Sequence, residues 1–298
     1  MSDPGAGTAR TFGEKWNRNP DLAFAQTLDE RSEIMRWILT RNGFESGRDL
    51  AVYLSDKRRI LDAGCGNGRV TALLQRYAPD ASEIVGVDLT AADVARQNLS
   101  GLPNVSVREA DLLGDLSELR EFDFIYCQEV LHHTGDPEGG LRNLASLLAP
   151  GGEIAIYVYR RKAPVREFTD DYLRDRISDL SYEEAMQVCR RIAELAHALS
   201  DLRATVRVPA IEPLEIEEGE YDVQRLVYHF FMKCFWNDEF DPEANAAINY
   251  DWYHPQISSR HTAREVQGWF EMAGLEIVHE HVDRYGITMR GVRPAEQL

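Results

Sequence analysis

ILDAGCGNGRV, residues 60–70, is the stretch that decides how this chain folds. An apolar run that reads as a buried strand ends there on Asp62 and on three glycines at every second position, Gly64, Gly66 and Gly68. Glycine inside a strand or helix is destabilising by roughly 0.5–1 kcal/mol relative to alanine. Such a cluster therefore marks a turn whose backbone closes on another element or on a ligand. The residues that follow, RVTALLQRYA (69–78), place Val70, Leu73 and Leu74 at i, i+3 and i+4 and read as a helix.

The same alternation continues to about residue 160. SEIVGVD (82–88) reads as the second strand. TAADVARQNLS (90–100) reads as a helix with Thr90 as N-cap and Asp93 three residues later. NVSVREA (104–110), FDFIYCQ (122–128) and GEIAIYVYR (152–160) are the next three strands, the last announced by the turn APGG (149–152). Strands separated by helices predict a parallel sheet covered on both faces.

Residues 161–250 break this rhythm. SYEEAMQVCRRIAELAHAL (181–199) reads as a helix opened by a Ser181/Glu184 capping box. The acidic stretch IEPLEIEEGEYD (211–222) reads as a solvated loop. VQRLVYHFFMKCFW (223–236) is apolar on nearly all sides and is expected to be buried or to line a cavity. The sheet pattern then returns. Thr262 and Glu265 cap a helix over AREVQGWFEMA (263–273), Gly274 ends it, and LEIVHEHV (275–282) and YGITMRG (285–291) read as an antiparallel pair at the sheet edge.

Composition narrows the class. With 298 residues, 44% hydrophobic and 28% charged, the chain builds its core without disulfide or metal staples. No run of about 18 apolar residues spans a membrane. The opening MSDPGAGTARTFGEKW has no charged segment followed by an apolar one, so it reads as a short flexible leader of a cytoplasmic protein. The four cysteines are widely separated and read as free, buried thiols. Lys plus Arg number 33 against 50 Asp plus Glu, a net charge of −17 that disfavours nucleic acid and anionic membranes. A neutral or cationic small partner suits that field, although a local basic pocket overrides the mean.

In a doubly wound sheet, ligands bind beyond the C-terminal ends of the strands. DAGCGNGR (62–69) is placed there. Gly64 and Gly66 fit the dinucleotide fingerprint, but Arg69 stands at its last position, and the phosphate-loop pattern with Lys-Ser/Thr is absent. Asp88 ends the second strand, where a carboxylate accepts from both hydroxyls of a ribose. Asp111, in EADLL after the third strand, is placed to receive an adenine amino group. The three strand ends together describe a nucleoside with a small tail that is not a phosphate.

LDAGCGNGR, VGVDLT, EADLL, FDFIYCQEVLHHTGDP and LLAPGGEIAI stand in the order of five motifs of the class I S-adenosylmethionine-dependent methyltransferases, which the chain resembles over roughly residues 55–160. HTAREVQGWFEMAGLEIV is similar to the sixth-strand region of that family. The resemblance implies an α/β fold, a doubly wound Rossmann-like and mostly parallel sheet of about seven strands with the last antiparallel, plus a helical cap insertion. Its implied division is 1–50 as an N-terminal helical lid, 51–160 as cofactor-binding core, 161–250 as substrate cap, and 251–298 as the rest of the sheet.

The cofactor implied is S-adenosyl-L-methionine. By resemblance, Gly64, Cys65 and Gly66 line it through their backbone, and Asp62 lies near its amino group. Asp88 takes the ribose, Asp111 and Leu112 the adenine, and Gln128 the methionine part, with Leu89 also among the cofactor-binding residues. TFGEKWNRNP (11–20) is similar to a lid segment that brings Trp16 or Arg18 to the methionine end; the alternative is that Trp16 only packs the leader onto the domain.

Methyl transfer from a sulfonium requires alignment and, for many acceptors, a base. His133 and Glu129 follow the fourth strand, and an unperturbed imidazole titrates near neutrality. Tyr253 and His254, within NYDWYHPQISSRHT (249–262), are the other acid–base candidates, with Tyr250 and Trp252 as aromatic walls of an acceptor pocket. No metal site is expected, because the side chains of the adjacent His132–His133 pair diverge on a helix or strand. The expected activity is methyl transfer to O, N or C of a small-molecule acceptor, aromatic or cationic, in secondary metabolism or cofactor biosynthesis. The alternative is a non-catalytic S-adenosylmethionine-binding regulatory or partner subunit. Nucleic-acid and membrane partners are not expected, and a homodimer is open as the assembly.

Overall fold

The computed structural model describes residues 4–295; residues 1–3, the start of the expected leader, and 296–298 lie outside the described residues. The chain divides into two compact units. One joins the described residues up to Lys15 with Arg161–Ser258, and the other runs over Trp16–Arg160 and from Ser259 onward.

Strands are β1 (Arg59–Ala63), β2 (Glu83–Asp88), β3 (Val105–Glu109), β4 (Phe122–Gln128), β5 (Leu148–Tyr159), β6 (Thr205–Val208), β7 (Gly219–Asp222), β8 (Glu276–Val282) and β9 (Gly286–Val292). Seven of them form one sheet in the larger unit, in the order β3-β2-β1-β4-β5-β9-β8. β1 to β5 run parallel, and β9 is antiparallel to both β5 and β8. Successive strand residues point to opposite faces. On one face Ile60, Ile84, Phe124, Tyr126 and Ala155 meet Met35, Ile38 and Leu39 of helix Glu33–Arg41, Leu50 and Leu54 of Gly47–Leu54, and Val70, Leu73 and Leu74 of Arg69–Tyr77. On the other, Leu61, Val85, Ile125 and Ile156 meet Leu141 and Leu144 of Pro137–Ser146 and Val266, Trp269 and Phe270 of Ala263–Met272. Each Val, Leu, Ile, Phe or Met side chain among them contributes about 1.5–3 kcal/mol when fully buried.

Several expectations are corrected here. Residues 4–18 form a helix, not a flexible leader. Residues 33–54 cover the sheet as part of its core, so no boundary falls at 50/51, and the later one falls after Ser258 instead of after residue 250. Thr90 does not cap the helix Ala92–Asn98, whose N-cap position is Ala91 without a side-chain bond. Asp88 serves that end, its Oδ1 accepting the N–H groups of Thr90 and Ala91 at 2.9 Å each.

Besides the described residues up to Lys15, the smaller unit holds helices Pro164–Ile177, Tyr182–Asp201, Val223–Phe230 and Pro242–Tyr253 with the antiparallel pair β6–β7. The acidic stretch is thus only partly a loop, since its last residues form β7. Its other expected neighbour, 223–236, is helical only to Phe230, and that helix buries Gln224, Tyr228 and Phe230 while leaving its other positions half-exposed. The Ser181/Glu184 capping box is present in full. Ser181→Ala is expected to lower stability by about 1 kcal/mol, read as a fall in the urea midpoint at unchanged slope.

At the centre of this unit lies Asp170, fully buried. Its Oδ2 accepts from Arg166 Nε at 3.1 Å and Trp252 Nε1 at 2.8 Å, and its Oδ1 from the Lys233 N–H at 2.8 Å and the Tyr253 hydroxyl at 2.9 Å. Arg166 is buried with it and lies over the rings of Tyr228 and Trp252. Among the described residues, no helix is long and apolar enough to cross a membrane.

Candidate active site

The glycine turn sits at the C-terminal end of β1, inside the larger unit. The N–H groups of Gly64 and Cys65 donate to the Val87 carbonyl at 2.7 and 2.9 Å, which ties the turn to β2. Gly64 and Gly66 hold φ of 80° and 55°, a region that favours residues without Cβ. A Cβ at Gly66 would stand 2.9 Å from the Trp16 ring, so Trp16 lies directly over the turn. The side chain of Cys65 is buried and its thiol is pushed well above the ordinary range by desolvation; the position offers backbone, not a nucleophile.

Asp88 faces the same turn, and the Gly66 N–H donates to its Oδ2 at 2.9 Å. A carboxylate has about four acceptor sites. Oδ1 is filled by the N–H groups of Thr90 and Ala91 with the Thr90 hydroxyl at 3.4 Å, and the Gly66 N–H takes one site of Oδ2, so one acceptor site remains on Oδ2, where bonds to both ribose hydroxyls were expected. Leu89, the next residue, is exposed. At the end of β3, Asp111 is exposed with its Oδ1 on the Leu113 N–H at 2.9 Å, while Leu112 is buried.

Asp62, on β1, is buried and accepts from the Thr71 hydroxyl at 2.6 Å. Burial lifts its carboxyl to about 7, and the Thr71 bond and Arg69 only partly offset this. The native state therefore holds a proton that the unfolded chain has lost, and stability falls as pH rises between about 4 and 7, then levels off. Asp62→Asn is expected to remove this slope: the melting temperature of the variant relative to wild type rises from pH 5 to pH 7 and stays constant above it.

At the end of β4, the Gln128 amide donates to Asn42 Oδ1 and its oxygen accepts from the Tyr126 hydroxyl at 3.1 Å. Glu129 follows at a φ of 65°, a strained conformation for a non-glycine residue. Its N–H donates to the Tyr157 carbonyl at 3.2 Å and its carboxylate lies 3.6 Å from Arg69. His133 is half-buried on the short 3-10 turn Leu131–His133. The rings of His132 and His133 do not diverge as expected; their centroids are 4.3 Å apart, and the His132 ring lies tilted by 33° against that of Tyr159, with centroids 3.6 Å apart. Among the described residues no group of three or more His, Cys, Asp or Glu side chains is placed to hold a metal ion.

Tyr253 and His254 fall in the core of the smaller unit, not at a mouth. The Tyr253 hydroxyl lies against Asp170 and the Lys233 carbonyl. His254 Nδ1 is 2.7 Å from the Thr11 hydroxyl and Nε2 is 3.0 Å from the Leu180 carbonyl. Both ring nitrogens and the phenol are committed to partners, as a folding role requires and an acid–base role does not. Tyr250 and Trp252 are buried beside them. Sequence reasoning missed Asn42 and Arg41 near the β4 end, because nothing local distinguishes them from the surface of a helix end.

A family model described as a methyltransferase domain matches residues 30–280. A protein of Synechococcus sp. described as uncharacterized is 42% identical over 119 residues, 38% of this chain and 28% of that protein. The ubiquinone biosynthesis O-methyltransferase of Coxiella burnetii is 30% identical over 100 residues, covering 33% of this chain and 42% of its own length. The trans-aconitate 2-methyltransferase of Azoarcus sp. is 34% identical over 145 residues, 49% and 51% of the two chains. The chain thus spans between 28% and 51% of the length of these relatives.

Proposed function

Because the chain belongs to the class I S-adenosylmethionine-dependent methyltransferases, we propose that it transfers a methyl group from S-adenosylmethionine to an oxygen, nitrogen or carbon of a small-molecule acceptor in secondary metabolism or cofactor biosynthesis. The observation that carries this reading is the pairing of the glycine turn with Asp88, whose Oδ2 is bound to the Gly66 N–H beside the buried Asp62.

The residues present fit the cofactor. Asp88 retains one acceptor site for a ribose hydroxyl, and Leu89 and Leu112 supply apolar surface for an adenine whose amino group Asp111 receives. The turn at 64–66 lets the backbone approach the methionine part, with Gln128 at its far side. Asp62, held near neutrality by burial, gains from a neighbouring ammonium the charge that favours its ionised form. Bound S-adenosylmethionine supplies an electrophilic methyl group on a positively charged sulfur.

The chain supplies alignment and a base. Glu129, fixed by its strained backbone and by Arg69, positions the end of β4 and meets cationic charge. His133, on the turn that follows, takes the proton of the acceptor. Calorimetric titration with S-adenosylmethionine, its demethylated product and NAD tests the reading, followed by acceptor screens that start from trans-aconitate, the substrate named for one relative. Micromolar binding of the first two with release of demethylated product supports it. Binding of NAD alone overturns it, and binding without turnover of any acceptor points to a non-catalytic partner subunit.

A further inference from the structure

Arg41 is the last residue of helix Glu33–Arg41 and is only 3% exposed. Its guanidinium carbon lies 3.3 Å from the ring centroid of Trp37, 4.4 Å from that of Tyr157 and 5.6 Å from that of Tyr285. Ring faces hold a guanidinium in place but accept none of its five in-plane N–H groups. Asp283 Oδ2 is its side-chain acceptor, at 3.4 Å, well beyond the 2.7–2.9 Å of a charge-assisted bond. Nε has no acceptor.

Asp283 is itself engaged elsewhere. Its Oδ1 accepts the N–H groups of Tyr285 and Gly286 at 2.7 and 2.8 Å, and its Oδ2 also lies 3.5 Å from His281 Nε2. Asp283 therefore caps its own loop and touches Arg41 only loosely. A buried arginine in a folded core normally has its donors taken. This one is held rigidly and left with donor capacity in hand.

Its position is beside the reacting end of the site. Tyr157 pairs with Gln128 in the sheet, the Gln128 amide donates to Asn42, and the Glu129 N–H donates to the Tyr157 carbonyl. The geometry points to Arg41 as the anchor for a carboxylate on the methyl acceptor, which makes the acceptor a small organic acid, not the cation that the net charge of −17 favours. The inference rests on the methyl-transfer reading above. Long-range attraction is absent for such an acid, so recognition is local. The guanidinium fork matches a carboxylate bidentately, and its aromatic stacking limits the freedom lost on binding. Arg160, whose Nη1 donates to the Asp283 carbonyl at 3.3 Å, is the second cation nearby, and Asp283 is the acid that opposes Arg41, while Glu129 faces Arg69.

The test uses the full chain saturated with S-adenosylhomocysteine and titrated with acetate, benzoate, succinate and citrate, each against its amide. At least one carboxylate is expected to bind ten times or more tightly than its amide. Arg41→Met is expected to abolish that preference, with the affinity for S-adenosylhomocysteine changed less than threefold. Asp283→Asn keeps the loop acceptor but removes the competing charge, and is expected to tighten the carboxylate threefold or more; it remains informative if Arg41→Met does not fold. Equal binding of acids and amides, no binding of any acid, or an unchanged preference in folded Arg41→Met overturns the proposal. Failure of the wild type to bind S-adenosylhomocysteine is a different result, because it overturns the methyl-transfer reading itself.

Discussion

Asp88→Ala is expected to weaken S-adenosylmethionine binding at least a hundredfold in a calorimetric titration. Three losses coincide at this residue. The ribose loses a charge-assisted partner, a bond that contributes about 1.5–3 kcal/mol, or roughly ten- to a hundredfold in affinity. The Gly66 N–H loses its acceptor at 2.9 Å, which releases the glycine turn. The helix Ala92–Asn98 loses the oxygen that accepts from Thr90 and Ala91. Asp88→Asn separates these terms, because its amide oxygen still caps the helix while the negative charge is gone. It is expected to cost about tenfold. Unchanged affinity in Asp88→Ala would sink the ribose assignment, and equal losses in the two variants would mean that charge alone matters there.

Asp170→Ala is the largest expected effect on stability, a loss of about 3–5 kcal/mol, the range for breaking a buried charged pair by removing one partner. The change leaves the buried Arg166 guanidinium without its carboxylate and takes an acceptor from the Trp252 Nε1 and Lys233 N–H donors, while the Tyr253 hydroxyl keeps the Lys233 carbonyl at 2.7 Å. Equilibrium urea unfolding reads the loss. Asp170→Asn, which keeps an acceptor for some of the four, is expected to lose less and remain folded enough to measure. A loss under about 1 kcal/mol in the alanine variant would show that the network relaxes or admits water, and that the smaller unit is held by its apolar contacts alone.

The two effects belong to different kinds of information. Around Asp88 the sequence was already legible: an apolar run, glycines at every second position, a helix pattern, and a carboxylate at the next strand end. Helix and strand periods and caps depend on neighbours two to four residues away, so a local reading reaches them. The boxes at Ser181/Glu184 and Thr262/Glu265 appear as the sequence placed them. Even here one residue shifted, since the Thr90 cap is supplied by Asp88 from the strand end.

Asp170, by contrast, carried no signal, and Tyr253 and His254 carried a misleading one. An aromatic and histidine cluster before a final helix suits a pocket wall as well as a core. Burial against partners from distant parts of the chain, Thr11, Leu180 and Asp170 among them, decides for the core. The same holds for Trp16 over Gly66 and for Arg41 among Trp37, Tyr157 and Tyr285.

By itself the sequence determined the alternating sheet, its glycine turn and the acids at its strand ends, because these follow from backbone hydrogen bonding and the two side-chain periods. Only the tertiary structure decided which aromatic rings enclose a cation and which polar groups are used up in the core. Most of those contacts join residues fifty to more than two hundred positions apart, and their pairing is set by sheet order and burial, which no local pattern encodes.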